Sequence, residues 1–382
     1  MYVPRILASH LARSNKSVLL LGPRQTGKST LIREYLKPNL CINLADEQTY
    51  LDFARNPTEL QSRLSAKKYQ TVFLDEVQRL PALMNTLQVI LDGSSPAHFY
   101  MTGSSARKLK RGKANLLPGR IHVYHLGPLC CAELGYHMDT TQALETGTLP
   151  GIYTEQDTTE RTKTLRSYAS TYLKEEIQAE ALTRNLEGFS RLIFMAAQWS
   201  GHFLDMNKLA TESQIARQTA MSYFEILEDT LIVQRCPSFS QSHRKRLIKH
   251  PKFYFFDTGV LNALLGNFQS SADRKGLLFE HLVFNQIQAS AMATDIEIQI
   301  SSYRTEHGAA VDLIVELSGQ VWAIECKASN TIHPGDLRGL KNFADFYGKR
   351  CHLAVAYLGN IEKKVDGISV LPWQMLLQEM GL

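Results

Sequence analysis

Six cysteines in 382 residues, at positions 41, 130, 131, 236, 326 and 351, form no C-x-x-C pair and accompany no paired histidines. That pattern excludes a zinc knuckle and a disulfide-framed secreted domain. A reducing compartment suits it. No apolar run approaches the eighteen or so residues that a membrane span needs, and the N-terminal "MYVPRILASHLARSNKS" lacks an apolar core ending in a cleavage site. The expectation is a cytoplasmic protein without a membrane partner. A strong charge of one sign is also missing, since 42 Lys and Arg face 37 Asp and Glu for a net +5. Such a balance permits a nucleic-acid partner without requiring one. Basic residues cluster at "ARKLKRGK" (106–113) and "SHRKRLIKH" (242–250). With 44% hydrophobic residues, the chain can bury the cores of two to four domains.

The stretch "KSVLLLGPRQTGKSTLIREYL" reads as a buried strand, a Gly-bounded loop and a helix, the context that a phosphate-binding loop requires. Gly22, Gly27, Lys28 and Ser29 satisfy G-x-x-x-x-G-K-[ST]. The glycines allow successive N–H groups to face phosphates at the positive end of the new helix. Residues Gly22, Pro23, Arg24, Gln25, Thr26, Gly27, Lys28, Ser29 and Thr30 are thus expected to cradle ATP, with Lys28 on the terminal phosphates and Ser29 on Mg²⁺. A second strand, "TVFLDEVQRL", ends in Asp75 and Glu76. The first is expected to hold hydrated magnesium and the second to polarise the attacking water. A third strand, "AHFYMTGSSA", ends in small hydroxyl residues, with Ser104 the candidate γ-phosphate sensor and Thr102 the runner-up.

The order P-loop, "FLDEVQRLP", "MTGSSARKL", "LLPGRIHVYHLGPLCCAELG" is similar to a group of prokaryotic AAA-type ATPases with a C-terminal domain of poorly defined function. The likeness continues through "SYASTYLKEEIQAEALTRNLEGFSRLI" and "FYFFDTGVLNALLG" to "GISVLPWQMLL". It implies an arginine that reaches a neighbouring subunit's nucleotide, for which Arg120 in "PGRI" is the candidate and Arg107 and Arg111 the alternatives. It also implies a homo-oligomer, a hexameric ring being one form.

Residues 136–185 carry strong helix formers and are expected to form a helical lid. Next, "MNKLATESQIARQTAMSYFEILEDTLIVQRC" fits a short helix (207–211), a turn and a longer helix (215–229) with apolar positions Ile215, Thr219, Tyr223, Ile226 and Leu227. Two β-rich runs, "LIVQRC" and "KFYFFD", flank the second basic stretch. That order predicts a winged helix-turn-helix with Arg217, Gln218 and Ser222 toward DNA and Arg244, Lys245 and Arg246 at the wing tip.

From residue 275 the order is helix, strand, the hairpin "VDLIVELSGQVWAIECKAS" (311–329), helix and strand, which resembles the restriction-endonuclease-like, PD-(D/E)XK fold. With Ser318 and Gly319 as the turn, Asp312 falls opposite Glu325, with Cβ atoms about 4.5 to 5.5 Å apart. Leu313, Val315, Leu317, Trp322 and Ile324 then share the other face. Two readings follow. In one, Asp312 and Glu325 bind Mg²⁺ or Mn²⁺, Lys327 activates water, and Glu280 on the preceding helix adds a carboxylate as that fold often does. In the other, Asp312, Glu325 and Lys327 are a solvated charge cluster. Ala310 departs from the acidic residue that relatives often carry there.

The expected fold is α/β: a P-loop NTPase (AAA-type) core over 1–135, a helical lid over 136–185, a winged helix-turn-helix over 186–268 and an α/β restriction-endonuclease-like domain over 269–382. The expected function is ATP-driven remodelling or translocation of duplex or branched DNA, with a metal-dependent nuclease site. The alternative is a nucleotide-controlled switch whose nuclease-like domain is inactive and binds DNA or protein.

Overall fold

The computed structural model describes residues 2–93, 97–104, 117–172, 185–240 and 250–382. Arg107, Arg111, Arg244, Lys245 and Arg246, and the sequence 173–184 within the expected lid, lie outside the described residues.

The first sheet contains β1 (Ser17–Leu21), β2 (Leu40–Asn43), β3 (Thr71–Asp75), β4 (His98–Gly103) and β5 (Ile121–His125) in the order β2-β3-β4-β1-β5. All its pairs are parallel. Its central strands are apolar almost throughout because both faces are covered. Leu19, Leu21, Val72, Leu74, Phe99 and Met101 fill one side, while Val18, Leu20, Phe73 and Tyr100 fill the other. The sheet aligns the ends of β1, β3 and β4, where the sequence changes from apolar to polar. Gly22 and the acid and hydroxyl side chains of Asp75 and Thr102 therefore meet at one end of the sheet.

Three helices, α1 (Thr140–Thr146), α2 (Pro150–Tyr153) and α3 (Thr158–Ser167), follow. The side chains of Asp139 and Asp157 cap α1 and α3 by accepting backbone N–H bonds. Then come α4 (Leu186–Trp199), α5 (Met206–Glu212), α6 (Arg217–Asp229) and an antiparallel hairpin of β6 (Val233–Cys236) and β7 (Lys252–Phe255). Tyr223, Ile226 and Leu227 are buried as their spacing predicts, whereas Ile215 and Thr219 are half-buried. Helix α7 (Thr258–Leu265) packs on α1, and the long α8 (Ala272–Thr294) crosses to the last sheet.

That sheet has six strands: β8 (Ile298–Arg304), β9 (Ala310–Leu317), β10 (Gln320–Lys327), β11 (His352–Tyr357), β12 (Lys363–Val365) and β13 (Ile368–Pro372), in the order β12-β13-β11-β10-β9-β8. Ser318 and Gly319 both turn with positive φ, 50° and 77°, as a two-residue hairpin of this twist requires. The register from Gln320↔Leu317 to Ile324↔Leu313 is the expected one. Leu313, Val315, Leu317, Trp322 and Ile324 join one buried cluster. The opposite face is also covered, because α9 (Arg338–Tyr347) packs Leu340 and Phe343 against Ile314, Val321 and Ala323. The hairpin is therefore buried on both faces, with Asp312 and Glu325 at its open end and Glu316 exposed beside the turn. The apolar cluster under the first face also includes Leu144, Leu165, Phe224 and Phe255, so helices α1 to α8 and the last sheet share one core. Among the described residues, no helix is long and apolar enough to cross a membrane.

Candidate functional site

The loop after β1 bends back where only glycine fits. A Cβ on Gly22 would lie 2.2 Å from the Leu126 carbonyl oxygen, and Gly27 takes φ 88° before the short helix Lys28–Leu31. Lys28 is buried and its Nζ donates to the carbonyls of Gly22 and Pro23 at 2.8 Å each. The Thr26 hydroxyl donates to Pro23, so it faces the loop's own backbone. A cleft of about 520 Å³ opens over the loop, lined by Arg24, Gln25, Gly27, Lys28, Ser29, Thr30, Ala45, Glu76, Gln78 and Arg79. That size suits a nucleotide-class ligand.

Asp75 ends β3 beside this loop. Its Oδ1 accepts from the hydroxyls of Ser29 at 2.7 Å and Thr102 at 2.5 Å, and its Oδ2 accepts from Arg33 Nη2 at 2.9 Å. Ser29 and Asp75 thus bring two hard oxygen atoms together, a donor set that fits Mg²⁺. Glu76 follows in the left-handed region, φ 60°, and its N–H donates to Thr102 at 3.1 Å. Gln78 is buried between Glu76 and Ser104, donating through Nε2 to the Glu76 carboxylate and to the Ser104 hydroxyl. Thr102 therefore touches the Asp75 carboxylate, while Gln78 bridges Ser104 and Glu76. Gln78 and Arg33 went unmarked in the sequence, where each reads as an ordinary polar residue on a helical turn.

Arg5 was missed as well. Its side chain is 3% exposed, its guanidinium pairs with the buried carboxylate of Glu133 at 2.8 Å and donates to the carbonyls of Thr26, Gly127 and Pro128. One side chain therefore ties the phosphate-binding loop to the segment leading into α1. Arg120 lies elsewhere. It precedes Ile121, which pairs with Ser17 at the start of β1, whereas the loop leaves the far end beyond Leu21 and His125. At this opposite edge Arg120 forms a two-pronged pair with Asp92 and stays away from its own chain's cleft.

A second cluster gathers at the open end of β9 and β10. Lys252, from β7, donates to Glu280 Oε1 at 2.6 Å and lies 3.9 Å from Asp312 Oδ1. The Tyr254 hydroxyl also donates to Glu280. Asp312 Oδ2 accepts the Cys326 N–H at 2.9 Å, and Lys327 pairs with Glu325 at 2.9 Å and Asp336 at 3.4 Å. The fold thus brings Glu280, Asp312, Glu325 and Lys327 together. Burial, reinforced by the Glu280 and Glu325 charges, pushes Asp312 well above the usual carboxylate range. Burial works against the charge on Lys252, but Glu280 and Asp312 outweigh it and raise its pKa.

The donor set does not fit a metal as it stands. Among the described residues, no group of three or more His, Cys, Asp or Glu side chains is arranged to hold an ion. Lysine ammonium groups meet the carboxylates instead, and Lys252 was not anticipated.

Beside Glu280, His281 is fully buried. Its Nε2–H donates to the Phe255 carbonyl, Nδ1 has no partner among the described residues, and burial depresses its pKa to about 4. Between pH 6.5 and 4 the unfolded chain binds the proton that the folded one refuses, so stability falls as pH falls through this window. Relative to His281→Gln, wild type should lose about 3 kcal/mol between pH 7 and pH 4. Denaturant unfolding at a series of pH values measures it, and a constant difference would refute the buried neutral assignment.

At the start of α6, Arg217, Gln218 and Ser222 are all exposed; Gln218 and Ser222 lie on the helix face opposite the buried Ala220, Phe224 and Leu227, whereas Arg217 projects from the first turn on the same side as Phe224.

Residues 14–135 match a family model described as an AAA domain. Two further models, each described as a domain of unknown function, match 138–271 (DUF8612) and 275–376 (DUF4143). The first match agrees with the parallel sheet and its loop, and defines an AAA-type ATPase domain. Uncharacterized protein Rv2008c of Mycobacterium tuberculosis and uncharacterized protein Mb2031c of Mycobacterium bovis are each 30% identical over 324 residues, spanning 82% of this chain and 70% of theirs. The chain belongs to the family of these two mycobacterial proteins. A solved structure of replication initiator DnaA, bound to AMPPCP and single-stranded DNA, is 12% identical and covers 58% of this chain and 85% of its own at a TM-score of 0.27.

Proposed function

We propose that the chain is an ATP-hydrolysing, DNA-binding AAA-type ATPase that uses turnover to remodel or translocate duplex or branched DNA. The observation that supports it most is the convergence of Lys28, Ser29 and Glu76 on one cleft, with Asp75 bonded to Ser29 beside it. On this reading Lys28 exchanges the Gly22 and Pro23 carbonyls for the β- and γ-phosphates of ATP. Ser29 and Asp75 hold Mg²⁺, which supplies charge neutralisation for the transferring phosphoryl group. Glu76 accepts a proton from the attacking water, Thr102 keeps Asp75 oriented, and Ser104 reads the γ-phosphate through Gln78. Arg120 serves a neighbouring copy's nucleotide, which makes the working form a homo-oligomer, with a hexameric ring as one arrangement.

DNA contact rests on α5, α6 and the β6–β7 hairpin read as a winged helix, with Arg217, Gln218 and Ser222 presented to the duplex. The basic run around Arg244, Lys245 and Arg246 supplies phosphate contacts. Changing these three to Glu should weaken duplex binding and flatten its salt dependence, because fewer counterions are released. Fluorescence anisotropy across a salt series reads both, and unchanged affinity with an unchanged slope would remove this segment from the DNA surface.

Lys252 favours a second reading for the C-terminal domain alone. With lysines already seated among Glu280, Asp312 and Glu325, the domain is a nuclease-like scaffold that grips DNA or protein without cutting it. The ATPase then acts as motor or as switch.

A further inference from the structure

We infer that Lys252 is the resident cation of the C-terminal carboxylate site, placed where a divalent ion would sit, so that the folded chain excludes Mg²⁺ and Mn²⁺ there. This rests on reading Glu280, Asp312 and Glu325 as the acidic set of a nuclease-like fold.

Three observations carry it. The Lys252 side chain is only 12% exposed, so its charge is held by the site and not by water. It contacts Glu280 at 2.6 Å and stands 3.9 Å from Asp312, on two different elements of the last domain. A divalent ion bridging those two carboxylates would need oxygen atoms at about 2.0 to 2.6 Å. Its place therefore coincides with the ammonium, and two cations cannot share it. Finally, Lys327 lies 2.9 Å from Glu325 and 3.4 Å from Asp336, so the remaining carboxylate is neutralised as well. Lys252 comes from β7, outside the last sheet, so the element that blocks the site belongs to the hairpin that follows α6.

The test uses the full chain without nucleotide, carrying Asp75→Asn and Glu76→Gln so that neither of these carboxylates at the P-loop cleft is offered to an ion. Manganese titration by calorimetry should show no binding at the last domain in this parent. Adding Lys252→Met, which keeps the length of the side chain without its charge, should make Mn²⁺ binding appear there, at least tenfold tighter than the weakest binding the titration detects. The melting temperature of that variant should then rise with Mn²⁺, while the parent's should not. Asp312→Asn on top should erase both effects. Should Lys252→Met fail to fold, Lys252→Gln, whose neutral amide still donates to Glu280, is held to the same outcomes.

Mn²⁺ binding by the parent as tight as in the Lys252 variant, and lost with Asp312→Asn, would overturn the exclusion while leaving the carboxylate site standing. A folded Lys252 variant that ignores Mn²⁺ would overturn the exclusion together with the reading of these residues as a metal-binding set.

Discussion

Glu76→Gln should bind ATP with near wild-type affinity and hydrolyse it about a hundred to ten thousand times more slowly, the range that a positioned general base contributes. The substitution keeps the size of the side chain and its contact with Gln78, and removes only the capacity to take a proton. The groups that engage phosphates and metal on the proposed reading, Lys28, Ser29 and Asp75, are untouched. Their mutual contacts do not pass through Glu76. Binding and turnover should therefore separate, measured as fluorescent-nucleotide affinity and steady-state phosphate release. Turnover at the wild-type rate would move the base elsewhere in the cleft. Lost binding would show that Glu76 shapes the cleft more than its chemistry.

Arg5→Met should cost about 3 to 5 kcal/mol of stability, because it strands a buried carboxylate. Glu133 has no exposed side-chain surface, and although it also accepts the N–H groups of Ile6 and Cys130, no other cation among the described residues pairs with it. Three backbone carbonyls lose their donor as well. The signature is non-additivity. Arg5→Met with Glu133→Gln removes the stranded charge and should be more stable than Arg5→Met alone. Denaturant unfolding of the four proteins settles it, and strictly additive losses would mean that the pair is not a buried ion pair. Thr26 belongs to the phosphate-binding loop, so the single variant should also weaken nucleotide binding more than Glu133→Gln does.

The contrast between these two sites explains what could be read from the sequence. The P-loop and the Asp75–Glu76 step were legible because each is local: a few adjacent residues fix the turn, the strand and its polar end. The β9–β10 register was legible for the same reason, since a period of two and a Ser-Gly turn leave one alignment that buries Leu313, Val315 and Ile324 together. Burial of the opposite face was not, because its cover, Leu340 and Phe343, arrives from a helix that the hairpin's own pattern does not announce. Arg5 was illegible because its carboxylate partner lies 128 positions away. Lys252 was illegible because its partners, Glu280 and Asp312, lie on other elements of the fold. A lysine opening a short strand looks like a solvated edge until α8 and β9 are placed beside it. Arg120 sits where the resemblance put it in the sequence, yet its pairing with Asp92 depends on tertiary placement that spacing does not encode.

The central claim is that nucleotide turnover in the β1–β3–β4 cleft serves DNA. The most direct measurement is the steady-state rate of ATP hydrolysis by the wild-type chain with no DNA, with duplex and with branched DNA, using Glu76→Gln as the blank. The account predicts a basal rate above the blank that rises several-fold when DNA is added. A slow rate that is the same in every condition would contradict it and assign the cleft to a DNA-indifferent switch.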